Sequence, residues 1–176
     1  DCSFSYKGAC LVYINKDKTE EALNHIDAAD IISEEHFEMK KRLELEEAEK
    51  LYNLGNAKKI IEKFSLSYED FLNKYKYTKT MAIRKIVAGK KLFELDRKLV
   101  EEMTSVDGAT VVDFDGTIIA VGAIIKIEAG SRRGGRLAAT TTMAKYGVAI
   151  KVSQDGIMQG FSVDKQGKVK QIFNVG

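Results

Sequence analysis

An aspartate and a cluster of arginines and glycines in the second half of the chain have the residue types that bind a phosphate chain. The aspartate opens the run Asp107-Gly108-Ala109, and the cluster reads Gly-Ser-Arg-Arg-Gly-Gly-Arg over residues 130–136. Arginines pair with phosphate oxygens, and glycines let backbone N–H groups approach an anion. A helix starting near Arg136 would direct its positive end toward the same ligand. Composition alone also fits a basic surface loop beside an aspartate that begins a strand.

These residues define a candidate nucleotide site. Asp107 can hold a divalent cation on the phosphates or accept a proton from a ribose hydroxyl. The candidates for binding the phosphates are Ser131, Arg132, Arg133, Gly134, Gly135 and Arg136. His25 and His36 stand alone in the sequence, so we expect them to be surface or capping residues and not metal ligands.

A second motif, Asp113-Phe-Asp115-Gly-Thr117, matches the Asp-x-Asp-Gly-Thr motif of the haloacid dehalogenase-like phosphatases. In those enzymes the first aspartate is the nucleophile and the second is the acid/base, with a magnesium ion between them. They need a parallel doubly wound sheet after the motif, whereas Ile118–Ile127 continues as a strand. An ordinary Asp-Gly hairpin explains the same residues more economically, and we predict a turn here.

The composition is that of one globular domain. A chain of 176 residues can bury a real core, and a formal net charge of +2 gives no direct nucleic-acid signal. No apolar run reaches the roughly 18 residues that a membrane helix needs. Cys2 and Cys10 can form a disulfide, but we expect thiols in a reducing compartment and hence a cytoplasmic protein. Asp1 in place of a methionine suggests a fragment of a longer protein with a further domain upstream.

The first half of the chain predicts one strand followed by helices. Residues 8–14 form an apolar run rich in strand formers. Asp17 and Glu20 predict either the cap of a short helix through Ile26 or a solvated turn. Residues 33–103 then have helical spacing, with a cap at Ser33, a stop at Gly55, a helix over residues 57–64 and a capping box at residues 67–70.

From Asp107 the period changes to that of strands. We predict a hairpin of Ala109–Phe114 with Thr117–Ile127, a helix over Arg136–Tyr146, and strands over residues 148–153, 157–163 and 168–173. Strands at both ends with helices between them predict an α/β fold, with α+β as the alternative. Its centre would be a mixed β-sheet with helices packed around it and a long helical insertion over about residues 33–103.

Four segments in register resemble one known family, the diadenylate cyclase domain, which is the nucleotide-binding domain of the DNA-integrity scanning protein and its relatives. They are Gly-Ala-Cys-Leu-Val-Tyr-Ile from Gly8, Asp-Gly-Ala-Thr-Val-Val from Asp107, Thr-Ile-Ile-Ala-Val-Gly-Ala-Ile-Ile from Thr117, and Val-Ala-Ile-Lys-Val-Ser-Gln-Asp-Gly from Val148. The resemblance covers nearly the whole chain, which would be one nucleotide-binding domain over residues 1–176.

The resemblance implies that two ATP molecules are joined into cyclic di-AMP. Two protomers face each other in a homo-oligomer, and each 3′-hydroxyl attacks the α-phosphate of the opposite ATP, with Mg²⁺ or Mn²⁺ as the cofactor. By the same resemblance Asp107 is the metal ligand or the base, and Gly108 and Ala109 line the purine-ribose side. Ser131, Arg132 and Arg136 meet the phosphates, and Ser153 lies near them.

Three departures from the family pattern leave the function open. The family's Gly-Thr-Arg-His-Arg-Ala-Ala run loses its histidine here: either Gly130-Ser131-Arg132 aligns and two glycines are inserted, or Gly134-Gly135-Arg136 replaces Arg-His-Arg. Gln154 stands where the family has a glutamate that can bind metal, and an amide is a poorer ligand for a hard cation. The helical segment is also longer than expected. The alternatives are therefore a diverged diadenylate cyclase, a catalytically inactive nucleotide sensor of the same fold, and a helical interaction domain.

Overall fold

The computed structural model describes residues 8–64, 66–73, 75, 80–87, 89–127 and 135–176. The strands are β1 (Ala9–Ile14), β2 (Ala109–Asp113), β3 (Ile118–Ala123), β4 (Gly147–Val152), β5 (Met158–Val163) and β6 (Val169–Val175). They form one six-stranded sheet in the order β3-β2-β1-β4-β5-β6. β1 runs parallel to β2, and the other neighbouring strands are antiparallel. The predicted mixed sheet and α/β class are confirmed.

The register of the central strand decides which residues become neighbours. Cys10 of β1 lies opposite Ala109 of β2 on one side and opposite Lys151 of β4 on the other. The start of β2, where Asp107-Gly108 leads into the strand, therefore lies at the same end of the sheet as the end of β4, where Ser153 follows. Residues that are more than forty positions apart in sequence thus come together at one end of the sheet.

Helices occupy the long connection from β1 to β2 and the shorter one from β3 to β4. They are α1 (Thr19–Leu23), α2 (Glu34–Asn53), α3 (Ala57–Phe64), α4 (Tyr68–Asn73), α5 (Met81–Val87), α6 (Arg97–Thr104) and α7 (Gly135–Met143). Short 3₁₀ turns lie at Lys16–Lys18, Ala28–Asp30, Leu92–Glu94 and Ala144–Tyr146. None of the helices in the described ranges has the length and apolar character that a membrane crossing demands.

Local signals placed several helix ends correctly. The Ser33 hydroxyl accepts the His36 backbone N–H at 3.5 Å, and Gly55 follows α2 with φ of 68°. At the start of α4, Ser67 accepts the backbone N–H of Asp70 at 3.1 Å. Asp17, by contrast, lies within the first 3₁₀ turn, and no side chain caps α1.

Two predicted boundaries are wrong for a tertiary reason. β3 ends at Ala123 and not at Ile127, because the backbone N–H of Ile124 turns to the Asp30 carboxylate at 3.3 Å. The helical pattern over residues 83–103 is broken into α5, a 3₁₀ turn and α6. The break occurs where the Leu92 backbone N–H donates to the Gly116 carbonyl at 2.7 Å, which ties the helical segment to the β2–β3 turn.

The two faces of the sheet carry separate apolar clusters. Val12 and Ile14 of β1 pack into the cluster that includes α1, α2 and Met143 of α7. The alternate residues Leu11 and Tyr13 pack on the cluster of α5 and α6, around Met103. Helices therefore cover both faces of the sheet at β1, and α7 packs on the same face as α1 and α2.

Buried charges connect α2 to the segment after α4. Lys40 and Glu44 are buried one turn apart on α2, with Lys40 Nζ 3.0 Å from Glu44 Oε1, and the Tyr75 hydroxyl donates to the same carboxylate. Burial, and then the hydrogen bond to Glu44, raises the pKa of Tyr75 far above its ordinary value, so the phenol stays neutral. The carboxylate is thus compensated from two sides.

Lys40→Met should lower the free energy of unfolding by about 3 kcal/mol, because it removes the Lys40 ammonium from beside the buried Glu44 carboxylate. The triple variant Lys40→Met/Glu44→Leu/Tyr75→Phe removes all three polar groups and should recover most of that loss. Urea denaturation of the wild type and both variants measures the difference. A single variant as stable as the wild type would contradict this account of the trio.

Candidate functional site

Two facing glycines fix the position of Asp107 at the end of the sheet. Gly108 has φ of 105°, a conformation that side chains other than glycine rarely adopt, and a Cβ there would lie 2.6 Å from the Gly122 carbonyl carbon. Gly122 has φ of 62° and would in turn bring a Cβ to 2.9 Å from Val106. The two backbones cross closely at this end of the sheet, where the Asp107 side chain is 89% exposed.

Arg136, the second residue of α7, reaches the same place from the helix that covers β1. Its Nη2 lies 3.8 Å from Asp107 Oδ1, and its side chain is 38% exposed. The guanidinium lies directly over Gly8, where an added Cβ would come within 2.3 Å of Nη1. Both side chains are exposed enough for a ligand to reach them. Little stability would be lost if the ligand replaced their ion pair, because exposed ion pairs contribute little.

On one side of this ion pair is the Asp107 pocket, of about 370 Å³. Its lining residues are Cys10, Asp107, Gly108, Ala109, Ala123, Ile124, Ile125, Ile127, Gly135, Arg136 and Ala139. Apolar walls with one carboxylate and one guanidinium at the rim suit a flat heterocycle joined to a polar group.

On the other side is the Ser153 pocket, of about 620 Å³. Its lining residues are Gly135, Arg136, Leu137, Lys151, Ser153, Gln154 and Asp155. It combines two cations, a hydroxyl and the start of a nine-residue helix, which together favour an anion. Arg136 and Gly135 line both pockets, so the two form one continuous candidate site.

The structure brings together the predicted residues that it describes. Asp107, Gly108, Ala109, Gly135 and Arg136 share one pocket. Ser153 shares the other with Arg136, and its backbone closes the turn to Gly156 at 3.0 Å. The predicted phosphate-binding residues Ser131, Arg132, Arg133 and Gly134 lie outside the described residues.

Among the described residues, Asp107 is the carboxylate that lines the Asp107 pocket, and Asp155 lines the adjoining Ser153 pocket. Across the described ranges, no group of three or more His, Cys, Asp or Glu side chains is arranged to hold a metal ion. Mg²⁺ is commonly held by one or two carboxylates together with substrate phosphates and water, so the exposed Asp107 fits such an ion when phosphates supply the remaining ligands.

Sequence reasoning missed three residues of the site. Gly8 makes room for Arg136, Lys151 places an ammonium in the Ser153 pocket, and Cys10 lies in the wall of the Asp107 pocket. Burial raises the pKa of the Cys10 thiol, whose Sγ lies 3.4 Å from Thr140 Oγ1, so the thiol is a packed, neutral group. A lysine in the middle of the apolar run of β4 is the one signal that the sequence offered.

The phosphatase-like motif forms the predicted hairpin turn. Asp113 is buried, and its Oδ1 accepts the backbone N–H of Asp115 at 2.9 Å and of Thr117 at 2.8 Å. Asp115 forms an ion pair with Lys16, and hydrogen bonding to that ammonium lowers the pKa of the Asp115 carboxyl. Gly116 completes the turn with φ of 85°. The Asp113 and Asp115 carboxylates are thus engaged in the turn and its ion pair.

His36 lies beside this turn and gives the protein a pH-dependent stability. Burial lowers the pKa of His36 below 6.5, against the opposing effect of the Glu35 and Asp113 carboxylates. The unfolded chain therefore takes up a proton near pH 6.5 that the folded chain accepts only at lower pH. The contribution of neutral His36 is fully present above pH 6.5 and is lost as the pH falls through the folded pKa.

We expect His36→Gln to flatten the fall in unfolding free energy between pH 7 and pH 5. The measurement is urea denaturation of both proteins at each pH, with His25 present in both as an internal control. Equal slopes in the two proteins would show that His36 is not the titrating group.

Gly8→Ala should move the Arg136 guanidinium away from Asp107, because the new methyl group takes its place. The flexible arginine can yield and the Val152 carbonyl, 3.2 Å from the new methyl group, has to give only slightly, so thermal stability should fall little. The affinity of the site for an anionic probe, inorganic pyrophosphate, should fall by about tenfold. Calorimetric titration measures the affinity, and Arg136→Ala is the control background. There Gly8→Ala should have no further effect, and an additive loss would contradict the steric explanation.

The chain matches no protein-family model and no curated protein. Among solved structures it is similar to the crystal structure of a hypothetical membrane spanning protein from Bacillus cereus. The likeness has 16% sequence identity and a TM-score of 0.34, over 77% of this chain and 93% of that chain. A likeness of that size supports no statement about what this chain does.

Proposed function

We propose that this chain is an adenine-nucleotide-binding domain that resembles diadenylate cyclase and condenses two ATP molecules into cyclic di-AMP. The observation that carries the proposal is the approach of Arg136 Nη2 to Asp107 Oδ1, 3.8 Å apart, where an apolar pocket meets a polar one. A purine with its ribose has the chemistry of the first pocket, and a phosphate chain has that of the second.

The proposal gives a role to the walls of the Asp107 pocket, to Gly108 and Ala109, to Arg136 and to Asp107. The aliphatic walls of the Asp107 pocket would pack on the purine, and Gly108 and Ala109, which line the same pocket, would lie on the purine-ribose side. Arg136 and the first backbone N–H groups of α7 bind phosphate oxygens. Asp107 would be the residue that holds Mg²⁺ or Mn²⁺, or it would accept the proton of the 3′-hydroxyl. The bound ion would neutralise phosphate charge as the reaction proceeds.

The reaction requires two copies of the site. Each 3′-hydroxyl attacks the α-phosphorus of the opposite ATP and gives its proton to Asp107 or to water as the new P–O bond forms. Pyrophosphate leaves with the electrons of the broken bond between the α-phosphorus and the α–β bridging oxygen. Asp107 is exposed at the end of the sheet, where a second protomer can bring its own nucleotide close to it. The proposal therefore includes a symmetric homo-oligomer, and it places the activity in the cytoplasm, where ATP is available.

A nucleotide sensor without catalysis is the second candidate. Gln154 lines the Ser153 pocket at the position where the family has a glutamate, and a neutral amide binds a hard cation less well than a carboxylate does. Such a protein would use the same two pockets to bind ATP or a dinucleotide. A helical interaction domain built on residues 33–103 is a minor third candidate.

Incubation of the protein with ATP and Mn²⁺ should yield cyclic di-AMP and pyrophosphate, as measured by chromatography. Asp107→Asn keeps the size of the side chain but removes its charge, and it should lower the rate by at least about a hundredfold. Asp17→Asn, a matched change of an exposed carboxylate in the first 3₁₀ turn, outside both pockets, should leave the rate unchanged. Tight ATP binding without product would favour the sensor, and the lack of any nucleotide binding would refute the proposal.

A further inference from the structure

Lys151 lies on β4, inside the sheet, and the proposed reaction gives it no role. It lies on β4 between Cys10 of β1 and Gln159 of β5, and its side chain is half-buried. Together with Arg136 and Ser153 it lines the Ser153 pocket. Lys151 therefore adds a second positive charge beside Arg136 in one pocket, where an anion would compensate both.

The partner that the fold gives Lys151 is neutral. Its Nζ donates to Gln159 Oε1 at 3.2 Å, and within the described part of the chain it forms no ion pair. Lys40 and Lys170 differ in this respect, since Lys40 pairs with Glu44 and Lys170 with Asp164. An amide orients the ammonium through one of its three protons but leaves its charge uncompensated.

The surroundings of Lys151 favour an anionic ligand. Arg136 adds a second positive charge to the same pocket, and α7 begins there with its N–H groups. Asp155 also lines the pocket, but it forms no ion pair with Lys151. An anion between the two cations would remove their mutual repulsion and compensate both.

The distance across the sheet indicates which part of a nucleotide reaches Lys151. Ala109 and Lys151 lie on opposite sides of Cys10, so two strand spacings, roughly 10 Å, separate their backbones. A nucleoside monophosphate with its base in the Asp107 pocket would place its single phosphate at Arg136 and would have none left for Lys151. The further phosphates of a di- or triphosphate would extend toward it.

We infer that Lys151 binds the terminal phosphates of the nucleotide and makes the site selective for a nucleoside polyphosphate over a monophosphate. Gln159 is the positioning residue that holds the ammonium toward the pocket. This inference rests on the proposed function, because it assumes that a nucleotide binds with its base in the Asp107 pocket.

The test compares two ligands in one protein. Calorimetry measures the affinities for α,β-methylene-ATP, whose α–β bond resists cleavage, and for AMP, both with Mg²⁺. Lys151→Gln should weaken the triphosphate analogue by about tenfold and leave AMP within about twofold of its wild-type affinity. Lys151→Arg should restore much of the selectivity, and Lys165→Gln, on an exposed turn between β5 and β6, should change neither affinity.

The ratio of the two affinities separates binding from folding, since a misfolded variant loses both ligands together. An unchanged ratio in Lys151→Gln, whether both affinities persist or both fall, would overturn the role of Lys151 and leave the proposed function intact. A wild-type protein that binds neither ligand would overturn the proposed function and this inference with it.

Discussion

The parallel pairing of β1 with β2 is the constraint on which the architecture depends. Two parallel neighbours cannot be joined by a tight turn, so the chain needs a long crossover between them. Residues 15–108 supply that crossover, and the helices α1 to α6 within it cover both faces of the strand that they leave. The long helical segment is therefore the connection that makes the parallel pair feasible. The contacts of its 3₁₀ turn with Gly116 show that it is also fixed to the β2–β3 hairpin.

The same pairing assembles the candidate site from distant parts of the chain. β1 contributes no charged group to the site, yet Cys10 sets Ala109 and Lys151 on its two sides. The antiparallel β4 then ends where β2 begins, and α7, which packs on β1 and β4, presents Arg136 above both. A shift of one residue in the β1 register would turn the β1 side chains to the opposite faces and separate these groups.

Local chemistry explains how much of this was predictable from the sequence. The cap at Ser33, the stop at Gly55 and the turn at Asp115-Gly116 each depend on a few consecutive residues, and each was placed correctly. The end of β3 was not, because it depends on a carboxylate that lies ninety-four positions earlier. The contact of Asp107 with Arg136 followed from residue types only as a hypothesis. The space that Gly8 leaves for the guanidinium depends on the position of α7, which no local pattern specifies.

Glycine occurs at the site where close approach matters more than local stability. Gly108 and Gly122 let two backbones cross at distances that a Cβ would forbid, and Gly8 lets a guanidinium lie on a strand. Glycine loses more conformational freedom on folding than any other residue, so three of them at one end of a sheet oppose its stability. The Asp107–Arg136 ion pair that these glycines permit is exposed, and it contributes little to stability. An arrangement that contributes so little to folding is consistent with the proposed function, in which the phosphates of a nucleotide would contact the groups that these glycines bring together.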